Sequence, residues 1–298
     1  ITWFSPDSIT HIEWKIPNET APEQSNKVIG VTLNSGVVLK TSLLLGCDGA
    51  KSPCRQLANI DVSRSEYQQS ALIANVATQN AHHNKAFERF TEFGPIAMLP
   101  LPSVPFNAQQ SPVEQYNNKA PKLQGQGRCS LVWTLPPAQA DRIAALDDDA
   151  FNRELEQAFG SWLGSITHVG KRSVYPLFLL QAQQQTYHRM ALVGNSSHTI
   201  HPIAGQGFNL GLRDVQVMTE LIKQALSDEN DIGAFALLQQ YQQNRMVDQQ
   251  QIIKLTDSLV TLFSNDLMPC VVGRNIGLHA LNCITPFKNV LVKKTMGY

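Results

Sequence analysis

The chain has 298 residues, of which 43% are hydrophobic, so it can bury a sizeable core as one large or two ordinary domains. Lysine plus arginine and aspartate plus glutamate both number 24, and this balance points to neither a nucleic-acid partner nor an anionic membrane surface. The five cysteines, at positions 47, 54, 129, 270 and 283, form no CxxC pair. This argues against a disulfide framework or a zinc site and favours a reducing, cytoplasmic compartment.

The first part of the chain has the pattern of a β-hairpin. Residues 9–16, 28–33 and 36–45 carry β-branched and apolar side chains. Asn34-Ser35-Gly36 separates the second run from the third and suits a tight connection. The pattern therefore predicts strands joined by a turn at these residues.

A short apolar run, Leu43–Leu45, follows and predicts a buried strand that enters a turn. Asp48-Gly49 favours a tight turn, Ser52 suits a helix cap, and Pro53 suits the first helical position. Taken alone, this segment is equally well explained as a purely structural turn.

The middle of the chain predicts an antiparallel sheet and one helix. Acidic residues begin the segment 148–159, and Phe151, Leu155 and Phe159 lie on one helical face, which indicates a short helix packed on the sheet. Pro102–Gly127 is rich in Pro, Gln, Asn and Gly and is interpreted as a surface loop. The predicted strands are 70–77, 86–91, 96–99, 129–135 and 172–179.

The segment Arg189–Ile222 organises the rest of the chain. Met190–Val193, closed by Gly194, predicts a buried strand and a turn. From Phe208 onward the spacing predicts a helix, and Pro202, Gly205 and Gly207 lie in the loop before it. Backbone N–H groups at such a helix start favour negative charge. The expected apolar face of the helix carries Val215, Met218, Ile222 and Ala225.

The spacing of Gly205, Gly207 and Gly211 suggests the fingerprint of a dinucleotide-binding loop. In that fingerprint the strand turns directly into the glycines, whereas here Asn195–Ala204 intervene after Gly194. An ordinary pyrophosphate loop is therefore the least favoured interpretation. A structural junction and a site for another electron-rich group stay open.

The polar residues of this loop do not predict a metal centre or a nucleophile. His198 and His201 have no third ligand in view and are typical of hydrogen-bonded structural histidines. Ser197 stands beside His198 without a GxSxG elbow, so the two do not form a catalytic pair.

Beyond the central helix, residues 234–264 predict a long Gln-rich helix, and residues 268–296 add further apolar side chains. Asp266, Arg274 and His279 interrupt the apolar runs, so no transmembrane helix is predicted. The carboxyl-terminal apolar face has two interpretations. It packs on the core, or it docks on a membrane or a partner protein.

These residues resemble the motifs of the FAD-dependent aromatic hydroxylases, and most of all those of the ubiquinone-biosynthesis branch. The family's second flavin motif is similar to the run Gly194-Asn195-Ser196-Ser197-His198, followed by His201-Pro202, Gly205–Gly211 and Arg213-Asp214. Asn195 stands where the general motif has Asp. Asp48, Gly49, Ser52 and Arg55 match the DG motif, DGxxSxxR, about 145 residues earlier and in the family's order.

The resemblance implies an α/β (α+β) fold with a partial Rossmann-like FAD domain, an antiparallel substrate-domain sheet and carboxyl-terminal helices. The predicted domains are an FAD-binding remnant at 1–60, a substrate-binding sheet domain at 61–189, the second FAD-binding segment at 190–226 and a helical region at 227–298. Such hydroxylases open with a strand–GxGxxG–helix unit, and nothing before Asp48 resembles it. We therefore expect an amino-terminally truncated chain that binds little FAD on its own.

The resemblance also implies FAD as cofactor and NAD(P)H as co-substrate. Asn195 is the candidate for the ribityl chain, and Asp48 and Gly49 are the candidates for the phosphate side. Arg55 and Gly194, which belong to the same motifs, are also candidates for binding the cofactor, and Pro202 would shape the pocket between ring and substrate. No residue is assigned as the catalytic base. The candidates for the flavin ring are Gly205, Gln206, Gly207, Phe208 and Asn209.

The implied reaction is a monooxygenation. NAD(P)H reduces the flavin, O2 adds at flavin C4a, and the hydroperoxide hydroxylates a polyprenylated methoxyphenol in ubiquinone biosynthesis. Other ubiquinone-biosynthesis proteins and a peripheral contact with the inner membrane are expected, and nucleic acid is not. Two alternatives stay open. One is a related hydroxylase acting on another ring position or a soluble aromatic, and the other is a non-catalytic scaffold component.

Overall fold

The computed structural model of the protein describes residues 1–15, 27–102 and 127–263, together with positions 272, 273, 277 and 283. Up to position 258 these residues form two compact units. The first comprises Ile1–Ser65 and Phe178–Ser258, and the second comprises Glu66–Leu177. Both boundaries fall inside strands, so the predicted domain limits at 60 and 189 stay a prediction.

The helices of the described residues are α1 (Pro53–Leu57), α2 (Pro137–Ala144), α3 (Asp148–Phe159), α4 (Gln206–Ser227) and α5 (Phe235–Phe263). Single 3-10 turns are formed by Gly194–Ser196 and Ile203–Gly205. The strands are β1 (Ile9–Glu13), β2 (Ile29–Leu33), β3 (Val38–Thr41), β4 (Leu44–Gly46), β5 (Val62–Thr78), β6 (Phe87–Thr91), β7 (Gly94–Pro100), β8 (Gly127–Leu135), β9 (Ile166–Val169), β10 (Ser173–Ala182), β11 (Thr186–Tyr187), β12 (Met190–Leu192) and β13 (His198–Thr199).

The first unit contains the predicted hairpin. Strands β1, β2 and β3 form an antiparallel sheet in that order, and β2 pairs with β3 from Ile29–Thr41 to Thr32–Val38. Gly36 closes the turn with φ +86°, a conformation that costs glycine little because it has no Cβ. The hairpin predicted around residues 34–36 is therefore confirmed.

A second sheet of the same unit has the strand order β11-β12-β4. Met190, Ala191 and Leu192 of β12 are fully buried, as predicted. Strand β4 pairs with β12 in parallel, and the prediction that it is buried throughout is wrong. Leu45 is 38% exposed because, among the strands of the described residues, β4 pairs only with β12 and so lies at the edge of the sheet.

Helices α4 and α5 pack on β12 through a common apolar cluster. The predicted apolar face of α4 is partly wrong. Met218 and Ala225 are buried, but Val215 is 50% exposed. The buried row of α4 includes Asp214. A prediction based on the spacing of apolar residues cannot identify a buried carboxylate. The buried residues of the cluster are Ala191, Val193, Met218, Ala225, Leu237, Leu238 and Tyr241.

The second unit is built on the predicted antiparallel sheet, in which β5, β8, β7 and β6 are neighbours and β9 also pairs with β5. Helix α3 covers one face with Phe151, Leu155 and Phe159, all buried, which confirms the predicted helix. Asp147 caps its start by accepting a hydrogen bond from the Ala150 N–H at 2.7 Å.

Two sequence predictions lie largely outside the described residues. The surface loop predicted for Pro102–Gly127 is described only at its two ends, and the apolar stretch 268–296 only at isolated positions. Among the described residues, none of the helices combines the length and the apolar character needed to cross a membrane.

Candidate functional site

The two glycine motifs lie side by side, at the carboxyl ends of neighbouring parallel strands. Leu44 pairs with Met190 and Gly46 with Leu192, so the turns that follow β4 and β12 begin at the same edge of the sheet. The Val193 N–H donates to the Gly46 carbonyl at 3.0 Å. In α/β proteins, ligands bind at the carboxyl ends of parallel strands. Residues about 145 positions apart in sequence are thereby brought to one site.

The turn after β4 is held by its own side chains. One carboxylate oxygen of Asp48 accepts from the Cys54 N–H at 2.9 Å, and Ser52 Oγ accepts from the Arg55 N–H at 3.0 Å. Gly49 has φ +80°, and a Cβ built on it would meet no atom within 4 Å. The predicted cap at Ser52 and the helix start at Pro53 are confirmed, and the backbone at Gly49 borders open space.

Arg55 joins the two motifs. Its buried guanidinium donates from Nη1 to the Ser196 carbonyl at 2.7 Å and from Nη2 to the Ala50 carbonyl at 2.8 Å. Both terminal nitrogens are thus engaged within the chain. This arrangement assigns Arg55 to positioning the two loops, and its predicted direct contact with a cofactor stays a prediction.

The start of α4 carries no side-chain cap. Gly205 is the N-cap residue, with φ +62°, and as a glycine it has no side chain that could accept from the first turn. A Cβ on Gly205 would meet nothing within 4 Å. The Gln206 N–H donates to the Ile203 carbonyl in the preceding 3-10 turn, so the positive end of the helix dipole is left to the amides after Gln206.

The side chains around this helix start differ in exposure. Gln206 is buried, whereas Asn195, Phe208 and Asn209 are exposed, and Phe208 is 76% exposed. Pro202 is half-buried. Phe208 and Asn209 belong to the first turn of α4, so a ligand placed at the helix start would contact both backbone amides and side chains.

A buried polar network lies under the loop that begins at Gly194, and the sequence predictions missed it. Asp214 of α4 has no exposed surface. Its carboxylate accepts hydrogen bonds from the Gly194 N–H and from His198 Nε2, each at 2.9 Å. It also accepts from Arg245 Nε at 2.6 Å and from Gln249 Nε2 at 3.1 Å.

This network determines the ionisation of Asp214. Burial acts to raise the pKa of the carboxyl, but hydrogen bonds from His198, Arg245 and Gly194 outweigh it, so the pKa is lowered. One sequence signal could have indicated the network. Tyr241, Arg245 and Gln249 recur every four residues, in line with buried apolar residues of α5, and polar groups on a buried face need partners.

Both loop histidines are hydrogen-bonded, as predicted. His198 donates to Asp214, and His201 Nδ1 accepts from the Ile203 N–H at 3.3 Å. Burial lowers the pKa of His201 to about 4. Within the ranges that the structure describes, no cluster of three or more His, Cys, Asp or Glu side chains is arranged to hold a metal ion.

Residues 24–256 match the family model described as FAD binding domain. The chain belongs to the FAD-dependent aromatic hydroxylases. Within them it lies in the ubiquinone-biosynthesis branch, as its relatives show. The family and the fold class predicted from the two motifs are confirmed, and FAD is the cofactor of this family.

Three relatives illustrate the branch. The chain is 36% identical to ubiquinone hydroxylase UbiL of Rhodospirillum rubrum over 90% of its length, and 32% identical to 3-demethoxyubiquinol 3-hydroxylase of Escherichia coli over 99%. It is 28% identical to ubiquinone biosynthesis monooxygenase COQ6 of Caenorhabditis elegans over 93%. The chain spans 57%, 70% and 65% of these relatives, respectively.

Solved structures agree with this fold. The p-nitrophenol 4-monooxygenase PnpA of Pseudomonas putida superimposes with a TM-score of 0.68 and 13% identity, covering 97% of this chain and 66% of that one. A probable FAD-dependent monooxygenase of Pseudomonas aeruginosa, pqsL, superimposes with a TM-score of 0.62 and 23% identity, covering 86% and 64%. At these identities the likeness concerns the fold.

The residues at the strand ends fit an FAD group in three respects. Gly49 and Gly205 border open space, so a ligand can approach their backbone closely. The start of α4 presents amides and a positive dipole without a side-chain cap. The exposed Asn195 amide can both donate to and accept from a hydroxyl group.

Proposed function

We propose that the protein is a flavin-dependent monooxygenase that hydroxylates the aromatic ring of a polyprenylated phenol in ubiquinone biosynthesis. NAD(P)H and O2 are its proposed co-substrates. The observation that carries the proposal is the placement of the DG turn and the uncapped start of α4 at the ends of two paired parallel strands. The branch to which the chain belongs supports the substrate class.

When bound, FAD would supply the redox chemistry, accepting a hydride and activating O2, which no side chain can do. The chain's own residues would bind and orient it. The amides of Gly207, Phe208 and Asn209 would face the electron-rich edge of the flavin ring and stabilise its negative charge by about 1–2 kcal/mol. Asn195 would contact a ribityl hydroxyl, and the turn at Asp48 and Gly49 would lie on the phosphate side.

For the substrate, a 2-polyprenyl-6-methoxyphenol is our proposal. The names of the relatives indicate hydroxylation in ubiquinone biosynthesis, and they differ in the compound that they specify. Because a polyprenyl tail partitions into lipid, we propose a cytoplasmic enzyme with a peripheral membrane contact. Sedimentation with lipid vesicles tests that contact, and recovery of all the protein in the supernatant would argue against it.

Flavin binding is tested by titrating FAD and following the quenching of its fluorescence. The protein would be the chain joined to the part of the E. coli relative that it does not cover. Gly205→Ala places a methyl group in the open space before α4, and we expect a dissociation constant about tenfold higher, or about 1.4 kcal/mol. Gly36→Ala is the matched control, since Gly36 also has positive φ and an open Cβ position but lies in the hairpin.

Equal FAD affinity for both variants would contradict the placement of the flavin at this helix start. The substrate class is tested separately, by measuring hydroxylated product and NAD(P)H consumption with prenylated and soluble phenols. Turnover of soluble phenols alone would refute the substrate proposal. Absence of FAD binding by the unsubstituted protein would instead favour the scaffold alternative.

A further inference from the structure

Helix α5 lies outside both flavin motifs, yet one of its faces contacts the loop that carries the second motif. Tyr241, Arg245 and Gln249 follow one another at intervals of four positions and therefore lie along one side of the helix. All three are buried. The Tyr241 hydroxyl donates to the Leu192 carbonyl at 2.9 Å, at the end of β12.

The centre of this contact is the carboxylate of Asp214, which accepts from four donors. One oxygen accepts from the Gly194 N–H and His198 Nε2, which belong to the loop. The other accepts from Arg245 and Gln249, which belong to α5. The carboxylate thus joins the first residue of the flavin loop to a helix about fifty positions later in the chain.

A further set of contacts holds the α5 donors themselves. Arg245 Nη1 pairs with Asp248 at 2.8 Å, and Asp248 also pairs with Arg213 of α4 at 3.0 Å. Gln249 accepts from the side chain of Gln185. The two arginines and two aspartates balance in formal charge, so each buried ion has a partner of opposite sign.

Such a network is a poor means of adding stability, because a well-packed apolar group of the same size often stabilises as much as a buried ion pair. The ionic hydrogen bonds instead fix the relative geometry of the groups that they join, since each donor is held at a defined angle and distance from its acceptor. This geometry matters at Gly194, where the chain leaves β12 with φ +65° and enters the loop leading to Gly205.

We infer that Asp214, Arg245 and Gln249 are positioning residues through which α5 fixes the flavin loop, and thereby the uncapped start of α4, in the geometry that binds FAD. This inference rests on the proposed function. The three residues act through Gly194 and His198, and the proposed ribityl contact, Asn195, directly follows Gly194 in the loop.

Asp214→Asn is the most specific test, because it keeps the shape of the side chain. An amide has one oxygen and one NH2 group, so it can accept on one side only. With the oxygen turned toward Arg245, the NH2 group faces Gly194 and His198. A histidine Nε2 without a proton can accept from that NH2 group, whereas the Gly194 N–H can only donate.

The measurements on the chain as it stands are hydrogen exchange by mass spectrometry and nitrogen NMR of the His198 ring. For Asp214→Asn we expect exchange at Gly194 to be about tenfold faster, unchanged protection in β8, and loss of the proton from His198 Nε2. A variant that only lowered global stability would accelerate exchange in both segments and leave the tautomer unchanged.

The FAD dissociation constant is measured in parallel by fluorescence, on the extended protein used for the FAD titration above. We expect it to rise about tenfold in Asp214→Asn. Arg245→Lys keeps the positive charge but loses the planar fork that reaches two carboxylates, so it should raise the constant by a smaller factor. Arg142→Gln, which breaks the exposed pair with Glu154 in the other unit, is the control and should change neither reading.

The inference is overturned if folded Asp214→Asn keeps the exchange rate at Gly194, or if its loop loosens while FAD affinity stays unchanged. Should Asp214→Asn fail to fold, Arg245→Lys decides the question by the same two measurements. Failure of the proposed function would look different. The unsubstituted protein would not bind FAD, while the exchange experiment would still report on the network.

Discussion

His201 makes the stability of the protein depend on pH below neutrality. Its ring has no exposed surface, and burial lowers its pKa from the ordinary value of 6.5 to about 4. The folded protein therefore keeps the ring neutral, whereas the unfolded chain binds a proton as the pH falls through 6.5. Stability is lost progressively below pH 6.5, and the loss is complete below about pH 4.

The size of the effect follows from the two pKa values. The full loss is about 3 kcal/mol, since each tenfold ratio between the two proton affinities corresponds to about 1.4 kcal/mol. Between pH 7 and pH 5 the expected loss is about 2 kcal/mol. The lowered pKa of Asp214 keeps its titration below this window.

The assay is urea unfolding at pH 7 and pH 5, followed by circular dichroism. His201→Asn removes the titrating ring, and its amide oxygen can still accept the Ile203 N–H that Nδ1 accepts now. The smaller side chain lowers stability at both pH values, so the difference between the two is the quantity of interest. We expect the variant to lose about 2 kcal/mol less than the unsubstituted chain.

His83→Asn is the matched control, because His83 is exposed and its positive φ of 49° is tolerated by asparagine. It should keep the difference seen in the unsubstituted chain. If His201→Asn loses as much stability between pH 7 and pH 5 as the unsubstituted chain does, then His201 is not the buried neutral group described above.

Two further predictions concern backbone conformation and packing. Gly194→Ala should lower the free energy of unfolding by about 1–2 kcal/mol because φ is +65°. Gly211→Ala should raise it by up to about 1 kcal/mol, since the added Cβ would lie at an ordinary 3.5 Å from Gly194 Cα. Urea midpoints that move in the same direction for the two variants would contradict this. Phe151→Ala should cost about 3–5 kcal/mol because the ring is fully buried in the second unit. Phe235→Ala, at a ring 75% exposed, should cost less than about 0.5 kcal/mol, and similar thermal midpoints for the two variants would show that the core is assigned wrongly.

The local elements could be predicted because their causes are local. The hairpin at residues 34–36 needs only a glycine at positive φ between two β-rich runs. Helix α3 needs only an acidic cap and an apolar residue every three or four positions. The two motifs of the candidate site could be recognised for the same reason, since each consists of residues close together in the chain.

The failures have physical reasons too. Burial of Val215 was predicted from hydrophobic spacing, but the buried row of α4 contains Asp214 and turns Val215 toward solvent. Leu45 was predicted to be buried, although burial depends on whether a strand lies at a sheet edge. Spacing along the chain reports neither the polar partners of a face nor the neighbours of a strand.

By itself, the sequence determined the hairpin, helix α3, the two glycine turns, and the family to which the chain belongs. These depend on backbone preferences and on short motifs, which are properties of neighbouring residues. Only the tertiary structure decided that β4 and β12 pair in parallel, so that the two turns meet, and that Arg245 and Gln249 of α5 reach Asp214 beneath the loop. A buried carboxylate needs donors, but any helix of the chain could have supplied them, and the packing of α5 against α4 selected these two.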